Sequence, residues 1–401
     1  MKHIIIVGAG ISGLYLAYKL LKMNHKVTII EKQKYVGGRI YTEDIEIDGQ
    51  RFNIEGGAGV IRNDENDILQ LLQELDIPVS FWKSNTKIVY HHQKKNEILD
   101  YDYQKILNQI CRYSSDELSF IDVIDESNIT RREKIGVIIG TTYGELFEAN
   151  SKHVCDTNDF NEFMINNEYM YGKPKAWRDL TNKLEKEILK MNGKIMNDTS
   201  VVEISETHVR TKHSHKSTQD PYDVLLITCP YHFVKKISLP KTLDPWISFM
   251  DEYHQETDYL RVYSYFEEPL EIESKIATNL SIRRVIPISK QLIMTVYTDG
   301  PDARNIYRFH RDQEELSMYI ENELRKLLGR EIPSIRKNWT FFWEKGISSW
   351  KPSPISVKET VEMVHHPLKN IYFCGDTYSN HPGWLQGAIE NCNMFLENFK
   401  Q

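Results

Sequence analysis

The sequence predicts an α/β protein in which a doubly wound, Rossmann-like domain is interrupted by an inserted α+β domain. Three observations carry this. The first forty residues run strand, glycine loop, helix, strand and acid; two further buried strands, around Val224 and Ile371, each end in a turn; and two long stretches between them lack any such loop.

The N-terminal segment justifies itself residue by residue. His3 to Val7 is an apolar strand, followed by Gly8-Ala9-Gly10-Ile11-Ser12-Gly13 and a helix with Leu14, Leu16, Ala17, Leu20 and Leu21 on its apolar positions. Gly8 permits a sharp turn, Gly10 lets a pyrophosphate approach the backbone, and Gly13 allows the helix to pack closely on the sheet. The first amides of that helix, those of Ile11 and Ser12 among them, and the positive end of its dipole then face the phosphates. The strand Val27 to Glu31 ends in an acid placed to accept from an adenosine ribose, with Lys32 beside it. This order describes a dinucleotide seat. A secretory signal fits poorly, because glycines break the apolar run and no small-residue cleavage site follows.

With 401 residues and 40% hydrophobic content the chain can bury a large core and divides into two domains. Its 50 basic against 57 acidic residues give a net charge of −7, which argues against nucleic acid as the partner. No apolar stretch is long enough to span a bilayer, so no membrane association is expected. Five scattered cysteines, Cys111, Cys155, Cys229, Cys374 and Cys392, suggest reduced thiols and a cytoplasmic location. The histidine groups His91-His92, His213-Ser214-His215 and His365-His366 lack the spacing of ligands, so no metal site is expected.

Further along, Tyr41 to Ile54 alternates as a hairpin with Asp48-Gly49 at its turn, leading to Glu55-Gly56-Gly57-Ala58-Gly59 and a helix from Asp67 to Leu75. Helical periodicity returns at Trp177 to Leu189 and at Gln313 to Leu328, and strands are expected at Lys194 to Met196, Val201 to Ile204, Tyr222 to Cys229, Tyr259 to Phe266 and Leu292 to Thr298. The last strand, Asn370 to Cys374, precedes Gly375-Asp376 and a helix from Trp384 to Phe399. These shifts place a nucleotide domain at 1–82, 170–240 and 340–401, with a substrate domain at 83–169 and 241–339.

A second motif narrows the ligand. Ile371-Tyr372-Phe373-Cys374-Gly375-Asp376 followed by His381-Pro382-Gly383-Trp384-Leu385-Gln386-Gly387-Ala388-Ile389-Glu390 resembles the closing motif of the flavin-containing amine oxidase family, which includes monoamine and polyamine oxidases, L-amino-acid oxidases and protoporphyrinogen oxidases. The resemblance implies FAD in a domain of the glutathione-reductase type. It implies that Gly37-Gly38-Arg39 lies against the pyrophosphate, that Gly57 and Ala58 run past the flavin, and that the Val202 backbone meets the adenine. It also implies that Asp376 lies near the ribityl and phosphate groups, and that Trp384, Leu385 and Ala388 open a helix aimed at the flavin.

The chain also departs from the family. Members with amine oxidase activity commonly carry a lysine near flavin N5; aligning Tyr259 to Pro269 on that strand puts Arg261 at the position, where the charge is permanent. Monoamine oxidases bind FAD through a cysteine, and the corresponding stretch Trp339 to Ser348 has none, so the FAD is expected to be noncovalent. One wall of their aromatic cage falls near Ser348, with Trp384 as the other and Trp343 or Trp350 compensating. The resemblance thus implies hydride transfer from an amine-bearing carbon, with Arg261 and Trp384 as catalytic-site residues, Arg62 facing a substrate carboxylate, a small amine as substrate and O2 as acceptor. A desaturase or isomerase that reacts poorly with oxygen, and a noncatalytic flavin-binding protein, remain open alternatives, as does a homodimer.

Overall fold

The computed structural model describes residues 1–83, 85–141, 144–157, 170–214 and 216–399. His215 lies outside the described residues. Two compact units share the chain: one is Met1–Phe81, Tyr171–Gln255 and Ile355–Gln401, the other Trp82–Met170 and Glu256–Pro354.

The first unit begins with β1 (His3–Val7), α1 (Ile11–Lys22), β2 (Lys26–Ile30), β3 (Thr42–Ile47), β4 (Gln50–Glu55), β5 (Ile61–Arg62) and α2 (Asn66–Glu74). After the short β6 (Ser80–Trp82), the second unit contributes β7 (Thr86–His92), β8 (Lys95–Ile98), α3 (Tyr103–Ile110), α4 (Phe120–Glu126), α5 (Arg131–Gly140) and α6 (Ser151–Thr157). The chain returns to the first unit with β9 (Tyr171–Lys173), α7 (Arg178–Lys190), β10 (Lys194–Met196), β11 (Ser200–Ile204), β12 (His208–His213), β13 (Lys216–Pro221), β14 (Val224–Ile227), α8 (Tyr231–Val234) and α9 (Asp244–Tyr253). The second unit resumes with β15 (His254–Phe266), β16 (Lys275–Thr278), β17 (Arg284–Pro287), β18 (Leu292–Asp299), α10 (Gly300–Tyr307), α11 (Gln313–Leu328) and β19 (Ile335–Trp350). The remainder, α12 (Val357–His365), β20 (Ile371–Phe373) and α13 (Leu385–Phe399), completes the first.

The first unit is built on a five-stranded parallel sheet in the order β10-β2-β1-β14-β20. Its central strands are apolar without alternation because helices cover both faces, and Ile4, Ile5, Ile6, Leu225, Leu226 and Ile227 are all fully buried. Helix α1 packs on α7 and α13 through Leu14, Leu16, Ala17, Leu184, Ala388 and Phe395. The hairpin β3–β4 turns on Asp48 and Gly49, both with positive φ (52° and 73°), as a two-residue loop requires.

The second unit has a seven-stranded sheet, β19-β15-β18-β17-β16-β7-β8, with α11 packed on it through Leu316, Ile320 and Leu324. Helices α3 to α6 form a separate core around Ile110, Phe120, Val123 and Val137. Two features differ from the sequence reading. The boundaries fall at 255/256 and 354/355, because α9 stacks Trp246 on Phe373 of the first unit at 3.9 Å and because β19 continues unbroken from Ile335 to Trp350. And Cys111 and Cys155 form a disulfide (Cα–Cα 5.7 Å), where all five cysteines were expected to be reduced. Packing of α6 against the turn after α3 brings these two together across 44 residues, which spacing alone does not announce. Cys374 and Cys392 are buried free thiols.

Candidate active site

The four dense sequence motifs converge at the carboxyl ends of β1 and β14. Gly8 turns out of β1 with φ 107°, its N–H donating to the Ile30 carbonyl at 2.9 Å. A Cβ on Gly13 would stand 2.0 Å from the Gly8 oxygen, so only glycine lets α1 start this close to the strand. Gly10 is different: a Cβ there would meet nothing within 4 Å. The first turn of α1 also has neither a capping side chain nor an acid, although four N–H groups at a helix start have no intrahelical acceptor.

Around this opening the other motifs close in. Gly37 donates to the Ala9 carbonyl at 2.8 Å, and Gly38 (φ 58°) brings its backbone against the Gly10 Cα. Arg39 reaches across to Asp376 in an ion pair. The Arg39 carbonyl accepts from Ala58 N–H at 2.9 Å, and a Cβ on Gly57 would lie 1.8 Å from it, which fixes the glycine-rich segment beside Arg39. Gly375 packs on the Ser12 hydroxyl and donates to the Asn391 side chain on α13 at 2.8 Å. Ala388, buried on α13, donates to the Trp384 carbonyl, closing the first turn after Leu385.

Glu31 is buried, and its two carboxylate oxygens accept from Ala9 N–H and Gln33 N–H, both at 2.7 Å. Its backbone also bonds Met196 and Thr199, which leads the chain into β11. There a bulge takes Val202 out of the β11–β12 ladder, and its carbonyl accepts from Ser238 N–H at 3.0 Å. Lys32 is exposed, with its ammonium over the Phe233 ring.

At the start of α13 the Arg62 guanidinium lies over the Trp384 ring, 4.8 Å from its centroid. Arg62 is buried and its Nε donates to Glu65 at 3.0 Å. Glu65, which sequence reasoning missed, is nearly as hidden as any carboxylate in the chain, and burial pushes its carboxyl up to about 7, against the pull of Arg62. The only sequence signal for it was an acid three residues after the arginine. Beyond it, Gln386 binds Asp67 at 2.6 Å and Glu390 at 2.8 Å, and Glu390 pairs with His381 at 2.5 Å. Burial alone would raise the Glu390 carboxyl, but His381 brings it below its ordinary value.

The second unit holds the remaining candidates. Arg261 on β15 is 5% exposed and lies beside an edge-to-face pair of tyrosine rings, 5.2 Å from Tyr259 and 4.8 Å from Tyr297, its cross-strand partner on β18. This is a buried cation held by aromatic faces. On β19, Trp343 is half-buried and Ser348 buried, both outside the unit to which the sequence reading assigned them.

Residues 6–75 match the family described as NAD(P)-binding Rossmann-like domain. The whole chain superposes on putrescine oxidase, with TM-scores of 0.78 for a single-site mutant made to redesign cofactor binding and 0.77 for the wild type bound to putrescine, at 14% identity and covering 98% and 99% of those chains. Among curated proteins, mitochondrial protoporphyrinogen oxidase of Nicotiana tabacum is 19% identical over 98% of this chain and 94% of its own. L-amino-acid oxidase of Bothrops pauloensis is 45% identical over 53 residues, 13% of this chain and 10% of its own. The chain therefore has the fold of putrescine oxidase, with a Rossmann-like dinucleotide-binding segment at its N-terminal end. A 1-hydroxycarotenoid 3,4-desaturase from Flavobacterium sp. is also similar, 32% identical over 90 residues, 22% of this chain, so that the alignment spans only 18% of that protein. The residues at the start of α1 fit a dinucleotide cofactor such as FAD: the open face of Gly10 and the uncapped first turn leave the backbone ready for a pyrophosphate. No helix among the described residues is long and apolar enough to cross a membrane, and no group of three or more His, Cys, Asp or Glu side chains among them could hold a metal ion.

Proposed function

We propose that the chain oxidises a small amine at the carbon bearing nitrogen, with noncovalently bound FAD and with O2 as the final acceptor. The observation that carries this reading is the Trp384 ring at the start of α13, backed by Arg62, in the unit that holds the FAD cradle. Kinship with putrescine oxidase and L-amino-acid oxidase supports it. Bound FAD would supply the two-electron redox chemistry, as acceptor of the substrate's hydride with O2 as the final oxidant, reduced to hydrogen peroxide. The chain's own residues do the rest. Gly8, Gly10, Ile11, Ser12 and Gly13 bind the pyrophosphate through backbone groups, Glu31 the ribose, Lys32 and Val202 the adenosine end, and Gly38, Arg39, Gly57, Ala58, Gly375, Asp376, Leu385 and Ala388 the remainder. Trp384 orients the amine by its apolar face, with Arg62 behind the ring. The absence of cysteine from Trp339 to Ser348 supports a noncovalent cofactor.

Purified protein is expected to be yellow, to bleach anaerobically with a polyamine or amino acid, and to yield peroxide in air. Colourless protein that takes up no added FAD sinks this reading.

Arg261 favours a second reading, a desaturase or isomerase on the same scaffold with slow oxygen chemistry. Packed against two tyrosines, its guanidinium holds or orients an anion or a water by donation but never becomes a neutral base. Under this reading the reduced flavin reoxidises slowly in air, and Arg261→Lys speeds it. If dithionite bleaches the flavin and no compound in a broad panel does, a noncatalytic flavin-binding role takes its place.

A further inference from the structure

We infer that Glu65 is a positioning residue: its buried carboxylate anchors the Arg62 guanidinium against the face of Trp384, and through that stack holds the ring at the start of α13. Trp384 needs such support. It follows Gly383, which has φ 83°, in a turn rather than in a helix, and it is only half-buried. The support comes from Arg62, whose backbone is fixed by pairing with Tyr171 across β5 and β9 but whose side chain has several rotatable bonds. Something must hold its far end.

Among the described residues, Asp64 and Glu65 each place a carboxylate within 4 Å of the Arg62 guanidinium. Asp64 lies 3.8 Å from the Arg62 Nε with a half-exposed side chain, so water screens it. Glu65 lies at 3.0 Å with a side chain 2% exposed, so its grip is not diluted. Its second oxygen, Oε2, is buried with no hydrogen-bond partner. An ionised carboxylate in that state is compensated mainly by Arg62, and burial holds its titration near neutrality, at about 7. The other charged groups nearby are committed elsewhere: Asp67 to Gln386 and Asn393, Glu390 to Gln386 and His381. Once Glu65 is protonated, the ion pair with Arg62 is lost and only a weaker hydrogen bond from the guanidinium remains, which loosens the stack behind the ring.

The stack stands independently of the substrate, while its consequence for turnover rests on the amine oxidase reading of Trp384. The test therefore has two arms, both on FAD-loaded protein. In the first, tryptophan emission is followed from about pH 5 to about pH 9, and the contribution of Trp384 is isolated by difference from Trp384→Phe. The wild type is expected to show one transition near pH 7, which is lost in Glu65→Gln, a variant of the same shape that cannot ionise. Arg62→Gln should lose it as well, and carries the test if Glu65→Gln fails to retain FAD. A wild-type transition surviving in both variants overturns the inference. In the second arm, Glu65→Gln is expected to raise KM about tenfold with a much smaller change in kcat, for the amine that bleaches the wild type. If no amine bleaches any variant while the emission result holds, the amine oxidase reading fails and the positioning role stands; unchanged KM together with an unchanged emission profile removes the role and leaves the enzyme reading intact.

Discussion

Gly10 and Gly13 stand three residues apart, yet their substitution should fail in different ways. An alanine at Gly13 would place its Cβ 2.0 Å from the Gly8 carbonyl oxygen, so the backbone itself must move, and the expected result is a lowered melting temperature with or without cofactor. An alanine at Gly10 meets nothing within 4 Å, and Gly10 has φ −72°, which suits alanine. The fold of Gly10→Ala should therefore survive within about 1 kcal/mol, while FAD is lost on gel filtration; normal FAD retention would contradict the pyrophosphate role. Two buried groups contribute to the dependence of stability on pH with opposite sign. Burial lowers His365 from an ordinary 6.5 to about 4, so its contribution is complete above pH 6.5 and is lost as pH falls toward 4. Glu65 has the opposite sign: raised from 4.5 to about 7, it favours the fold fully below pH 4.5 and loses that advantage as pH rises through 7. Melting temperatures across pH should accordingly fall less steeply on the alkaline side in Glu65→Gln than in the wild type. The glycines were legible because each answers a local backbone demand. Glu65 was not, because its burial and its lone partner are products of packing that no spacing encodes.

At the scale of elements, the strongly periodic segments were readable to within a residue or two, as with α11 and α13, because a helix of three or more turns declares its face repeatedly. The polar segment from His213 to Asp220 was less so. It reads as a polar hairpin tip, and most of it forms the second strand of that hairpin, β13, paired with β12, because an exposed antiparallel ribbon needs little apolar content. Disulfide bonding was invisible for a related reason, since Cys111 and Cys155 meet only through the packing of α6. Opening that link frees a 44-residue loop in the unfolded chain, which is expected to cost about 4 kcal/mol in the Cys155→Ser variant. Thermal unfolding with and without reductant measures this, and an intact-thiol result in nonreducing peptide mapping would remove the link altogether.

At the scale of the whole molecule, each unit is assembled from separated stretches: three for the first, two for the second. That discontinuity was foreseeable from the return of strand and glycine patterns at Val224 and Gly375, whereas the limits at Gln255 and Pro354 depend on where α9 and β19 happen to pack. Denaturation is expected to release free FAD into the supernatant, and flavin that stays with the precipitated chain would show a covalent link instead.

The edge position of β20 has a consequence for how the protein is made. Until Ile371–Phe373 pairs with β14, that strand presents an unsatisfied backbone edge, and until α13 docks, the outer face of α1 stays uncovered. Ser12 and Gly375, which touch in the finished fold, emerge from the ribosome at widely separated moments of synthesis. The cofactor cradle is therefore complete only after the C-terminal segment has been made, and bound FAD would then favour the finished fold by mass action. Riboflavin supply during expression should govern soluble yield more than growth temperature does.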